Sequence, residues 1–232
     1  MEMLDHSGTE VPPGVSDRSS AVVSGRNPRS LAAIRWKHVS LAIWSRTVPE
    51  PVPRFLDSLP ESSLPNERFI VDSDEACAAV TACVNETLPH DCSERTLFIS
   101  DICALVGIFQ RTTGSRRMLI RLEAVANDSC RRFHADSVGV RLLSTYRGPG
   151  TQWLPVNSET RPSPGRCPDS NVQEETRDIR QLPRFAVGMF KGLAHPAGGP
   201  AAIHRSPPIA GTGTTRLLLA VDDATTGPWS DD

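Results

Sequence analysis

No apolar run in this 232-residue chain approaches the roughly 20 residues needed to span a bilayer. The opening residues, MEMLDHSGTEVPPG, lack the basic start and apolar stretch of a signal peptide. The expectation is a cytoplasmic protein with no membrane partner. Nor is there an excess of basic charge: 25 Lys and Arg stand against 27 Asp and Glu, a formal net charge of −2. Nucleic-acid binding, which needs a basic surface, is therefore not expected. The six cysteines (Cys77, Cys83, Cys92, Cys103, Cys130 and Cys167) contain no CxxC pair and no dense, regular spacing. In a reducing cytoplasm they are expected to be free thiols. There is no GxSxG elbow, so Ser206, set among prolines, is not read as a hydrolase nucleophile. Gly211-Thr212-Gly213 lacks the helix and lysine of a phosphate loop and reads as a turn. No internal repeat is visible.

What is present falls into four stretches. Residues 1–30 are rich in Ser, Gly, Pro and charge and read as a disordered arm. Residues 31–115 read as a mostly helical segment. Within it, a short apolar piece at Leu41–Trp44 is followed by a Pro-rich connector over 49–65. Asp72 or Ser73 can then cap a helix that runs to Leu88 and stops at Pro89. A second helix follows over Glu94–Gln110, with Leu97, Ile102, Leu105, Val106 and Phe109 at helical spacing and Gly114 just beyond. Cys77, Cys83 and Cys103 fall on the apolar faces and read as small core residues.

Residues 116–223 read as a β-rich metal-binding domain of short strands with turns between them, and residues 224–232 as a flexible tail. Residues 118–125, 138–146, 151–156, 185–190, 200–204 and 215–221 have strand patterns, and a polar loop covers 157–178. The expected fold is α+β: a C-terminal double-stranded β-helix, jelly-roll or cupin-like, with an N-terminal helical segment.

The chemistry lies in Phe133-His134-Ala135-Asp136. On an extended segment, residues i and i+2 point to the same face, so His134 and Asp136 are expected to project together. A second imidazole, His204, comes on a separate predicted strand that can lie alongside in a sandwich. Two imidazoles and one carboxylate make the facial set that leaves positions open on Fe(II). Arg216 opens the last predicted strand, and a guanidinium inside the domain can grip a carboxylate through two parallel hydrogen bonds. Cys130, four residues before His134, is the candidate fourth ligand; its soft sulfur favours Zn²⁺ in a closed site. His195, beside Pro196 and glycines, reads as an exposed loop residue, and Trp153 as a core residue.

HxD, a later His and a downstream Arg resemble the Fe(II)- and 2-oxoglutarate-dependent dioxygenases, which implies Fe(II) with 2-oxoglutarate as small-molecule cosubstrate and Arg216 as its carboxylate anchor. A closer resemblance runs through Leu41–Arg46, Arg121–Glu123, Cys130–Asp136, Arg141–Leu154 (with GPGTQWL), Lys191-Gly192 and His204–Pro208 (with HRSPP). These segments are similar to a bacterial family known as domain of unknown function 1826. The resemblance implies metal handling, with a metal-chaperone GTPase as a partner. One departure is Ala194-His195-Pro196, where a tryptophan-containing segment is expected. Three expectations follow: an oxygenase, a non-catalytic zinc protein of metal homeostasis, or a structural β-domain whose histidines merely pack.

Overall fold

The computed structural model describes residues 21–88, 91–128, 130–155 and 178–224. Among these, seven strands form one sheet: β1 (Val22–Gly25), β2 (Leu41–Trp44), β3 (Glu67–Asp72), β4 (Arg117–Val125), β5 (Val140–Arg147), β8 (Val187–Lys191) and β10 (Arg216–Asp223), in the order β1-β2-β8-β5-β10-β4-β3. All pairings are antiparallel except β1 with β2. A smaller sheet has the order β7-β6-β9, from β6 (Gln152–Leu154), β7 (Arg180–Gln181) and β9 (Ile203–Arg205).

The alternation of strand side chains sorts the large sheet into two working faces. Leu217, Leu219 and Val221 of β10, with Leu142 and Tyr146 of β5, join the main core on one face. Leu218 and Ala220, with Leu143, Phe190, Leu41 and Ile43, face the other way and meet Trp153 of the small sheet. Helices thus cover one face, and the small sheet covers the other.

The helices are α1 (Pro51–Ser58), α2 (Ala76–Thr87) and α3 (Ser93–Thr113). Helix α3 buries Phe98, Ile102, Leu105, Val106 and Phe109, spaced by threes and fours, and ends at Gly114 with φ of 78°, the left-handed position that glycine adopts without strain. Its N-cap is Cys92, whose sulfur accepts from the Arg95 amide. Asp101 on its buried side accepts from the Tyr146 hydroxyl at 2.5 Å and holds Arg46 with both oxygens, which ties α3 to β5 and to the segment after β2.

Four expectations change here. The arm of residues 1–30 is too long: Val22–Gly25 is a sheet strand and Pro28–Arg35 a 3-10 turn, because Val22 and Val23 suffice to extend the sheet beside β2. Residues 1–20 and 225–232 lie outside the described residues, as does most of the 157–178 loop. The division between a helical 31–115 and a β-rich 116–223 also fails, since β2 and β3 belong to the same large sheet as β10. The connector over 49–65 contains α1, with Pro51 in its first turn where the missing N–H costs nothing. Finally, Cys77 and Cys103 are not free thiols. They are bonded to each other and tie α2 to α3, because the two helices bring their Cα atoms to 5.1 Å. Cys83 is buried and free, as a core residue.

Lys191, at the end of β8, is 1% exposed, and its amine donates to the carbonyls of Trp36 and Lys37 at 2.8 and 3.2 Å. Burial pulls its pKa down from 10.5 to about 8. A neutral amine keeps two N–H donors, enough for both carbonyls. Between these two pH values the unfolded chain binds more protons than the folded one, so stability rises with pH across that window. Denaturant titrations at pH 7.5 and 10 are expected to show the native chain gaining up to about 3 kcal/mol relative to Lys191→Met. Parallel behaviour of the two proteins would show that Lys191 stays charged.

Candidate metal centre

His134 and His204 are brought together by the backbone before any side chain acts. The two residues form an isolated antiparallel bridge, exchanging N–H···O bonds of 3.0 and 2.9 Å, so that the 130–136 segment adds to the small sheet beside β9. Directly opposed residues project to one side, and the ring centroids lie 4.6 Å apart. Phe133, on the alternate side, joins Ile203 and Leu154 in a separate apolar cluster. Asp136 returns to the side of His134, as its i+2 spacing predicts. Its carboxylate lies 3.7 Å from His134 Nε2 and 3.3 Å from His204 Nε2. One ligand atom from each of the three residues falls within 4.8 Å of the others.

The hydrogen bonds decide what faces what. His134 Nδ1 lies 3.0 Å from the Arg132 carbonyl, and His204 Nδ1 lies 3.5 Å from the Ala202 carbonyl. A carbonyl only accepts, so each Nδ1 carries the proton. In its neutral form each ring then has its Nε2 lone pair on the side of Asp136. Desolvation drives the His204 pKa down to about 4, so this ring is neutral at physiological pH. The His134 pKa is raised, chiefly by a hydrogen bond with Cys130. Asp136 Oδ2 is buried and has no hydrogen-bond partner among the described residues. The His204 Nε2 lone pair and the bare Asp136 Oδ2, 3.3 Å apart, repel unless a cation lies between them, and a backbone carbonyl on the far ring nitrogen is how metal-binding histidines are oriented. The donor set therefore fits a divalent metal.

Arg216 is 1% exposed and begins β10 on the face that meets the small sheet. Nε donates to the Pro149 carbonyl at 2.8 Å, and the terminal nitrogens reach the hydroxyls of Ser206, Thr145 and Thr151 at 3.3–3.4 Å. Ser206 is two residues beyond His204 on the same segment. No carboxylate pairs with Arg216 among the described residues. Burial lowers its pKa to about 10, which leaves it charged at neutral pH. The guanidinium thus sits in a ring of neutral oxygens on the same interior face as the three candidate ligands.

Cys130 touches the site without entering the convergent group: it hydrogen-bonds to His134, and that bond is the main cause of its lowered pKa. His195 lies apart, its Nδ1 accepting from the Ala197 amide, and Trp153 packs between the sheets. Sequence reasoning passed over Arg141, Asp222, Thr145 and Thr151. The signal for two of them was present, since Arg141 and Asp222 interrupt apolar strands with charge at positions that alternate onto the buried face. Gly192 was quoted only as part of a similar segment, yet a Cβ there would lie 1.9 Å from the Val138 carbonyl oxygen and 2.8 Å from that of Asp136. Gly192→Ala is expected to destabilise the chain by about 3 kcal/mol or more by overpacking and to weaken metal binding by displacing Asp136. An unchanged denaturation midpoint would show that the 136–138 segment yields freely.

A family model for proteins of unknown function, DUF1826, matches residues 25–222. The chain belongs to this family. No curated protein is a significant match. Solved structures with a similar outline include the dioxygenase for auxin oxidation 1 of Arabidopsis thaliana in its 2-oxoglutarate complex (11% identity, 91% of this chain and 94% of that one, TM-score 0.47). The rice dioxygenase for auxin oxidation has 13% identity over 87% and 82% of the two chains, with a TM-score of 0.44. A Pseudomonas putida prolyl-4-hydroxylase has 12% identity over 78% and 97%, with a TM-score of 0.33. All three TM-scores are below 0.5, and nothing about the chemistry of this DUF1826 member follows from them. Among its described residues, no helix is long and apolar enough to cross a membrane.

Proposed function

We propose that this chain is an oxygenase of the Fe(II)- and 2-oxoglutarate-dependent type, with its two sheets as the double-stranded β-helix of that class. The observation that carries the proposal is the convergence of two imidazole Nε2 atoms on the Asp136 carboxylate, whose Oδ2, 3.3 Å from His204 Nε2, is buried with no hydrogen-bond partner among the described residues. His134, Asp136 and His204 would hold the metal and leave the rest of its coordination open. The bound metal would supply the redox chemistry of oxygen activation. Arg216, a buried cation with only neutral partners among the described residues, would anchor the far carboxylate of the cosubstrate, with Thr145, Thr151 and Ser206 completing the cradle. The interior between the sheets, lined by Trp153, Phe190 and Leu143, would exclude bulk water from the reacting atoms.

The zinc-handling alternative ranks below this. It draws on the hydrogen bond between Cys130 and His134, but a closed site needs that sulfur in the convergent group, where it is not found. Elemental analysis of tag-free, full-length protein, followed by thermal melts with Mn(II) and 2-oxoglutarate, tests the proposal. The expected result is one divalent metal per chain and a stabilisation by 2-oxoglutarate that requires the metal. Stoichiometric zinc with no response to 2-oxoglutarate would overturn it.

A further inference from the structure

We infer that Arg141 is the positioning residue that fixes the orientation of the Asp136 carboxylate, an inference that rests on the metal reading above. In the antiparallel register, Arg141 of β5 stands directly opposite Asp222 of β10, and both side chains take the face towards the small sheet. Arg141 Nε and Nη2 donate to Asp222 Oδ1 and Oδ2 at 2.6 and 3.0 Å. The remaining nitrogen, Nη1, turns to Asp136 Oδ1. Asp222 is fully buried and is held from the other side by Arg121 of β4, at 3.1 Å. Two bonds to one carboxylate on a rigid strand leave the planar fork no freedom to rotate, so its third edge has a fixed direction.

The consequence falls on Asp136. Its Oδ1 is engaged by Arg141, and its Oδ2, without a hydrogen-bond partner among the described residues, is turned towards His204 Nε2. A carboxylate without that clamp would be free to offer either oxygen, or both, and to take up positions that the proposed chemistry needs open. The four groups Arg121, Asp222, Arg141 and Asp136 sum to zero charge. Within that neutral set Arg141 brings no net charge to the site, so what it adds at the metal is geometry.

Cobalt(II) titrated calorimetrically into the metal-free full chain, with the visible d–d bands recorded on the loaded protein, tests this. The set comprises the native chain, Arg141→Met, Arg141→Lys, the charge-balanced pair Arg141→Met with Asp222→Leu, and His204→Ala as the control that uptake is at this site. Circular dichroism checks each fold, and the charge-balanced pair carries the test if Arg141→Met does not fold. All three Arg141 variants are expected to bind cobalt about 10–100-fold more weakly, the range for loss of an outer-shell partner, with d–d bands displaced from the native positions. Arg141→Lys keeps the charge but not the fork, so native affinity and native bands in that variant would overturn the assignment. Native behaviour of the charge-balanced pair would do the same. Failure of the native chain itself to take up cobalt would overturn the metal reading, and this assignment with it.

Discussion

Asp136→Asn is expected to abolish metal binding while leaving the metal-free protein at least as stable as the native one. Asparagine has the same shape, and its carbonyl oxygen can still accept from Arg141. Its amide can donate to the His204 Nε2 lone pair, which in the native chain faces a bare carboxylate oxygen at 3.3 Å. The substitution therefore satisfies two groups that the metal-free native chain leaves opposed, and Arg141 still pairs with Asp222, which it shares with Arg121. Metal at about 100 times its dissociation constant should stabilise the native chain by about 3 kcal/mol, or on the order of 5–10 °C for a chain of this size. The variant should show none of that shift. Thermal melts of both proteins with and without Mn(II) read out both halves of the expectation. If the metal-free variant instead melts far below the native chain, and the native chain ignores metal, then Asp136 is a structural ion-pair partner.

Arg216→Lys is expected to leave metal content unchanged and to weaken 2-oxoglutarate binding by roughly 2–5 kcal/mol, the range for breaking a buried charge pair at an interface. Lysine keeps the charge but presents one point donor where arginine presents a planar fork. The native side chain is placed by its bond to the Pro149 carbonyl and surrounded by the hydroxyls of Thr145, Thr151 and Ser206, none of which can neutralise it. A buried cation with only neutral partners favours an anion that arrives from outside. Calorimetry with 2-oxoglutarate on the Mn(II)-loaded proteins measures the difference. Equal affinity in the two proteins, or no binding to the native chain, would remove Arg216 from the cosubstrate site and leave the zinc-handling alternative ahead.

The two expectations separate the parts of the proposal. Loss of metal binding in the Asp136 variant concerns the three ligands alone, and loss of 2-oxoglutarate binding in the Arg216 variant concerns the anchor alone. A chain that passes the first and fails the second is a metal protein of some other chemistry.

Much of this was legible in the residues. The i, i+2 spacing of His134 and Asp136 placed them on one side of an extended segment, because strand side chains alternate. The β-pattern around Arg216 placed it at the start of a strand, and the periodicity of Phe109, Val106, Leu105 and Ile102 gave α3. Other features depended on neighbours distant in sequence. Val22–Gly25 is too short to declare itself a strand until β2 lies beside it, and Cys77 can bond Cys103 only because α2 packs on α3. Residue type and period determined which side chains could share a face. The tertiary structure decided which faces meet: the bridge of His134 to His204, and the register that sets Arg141 against Asp222, arise from pairings between segments far apart in the chain, whose energy no local pattern records.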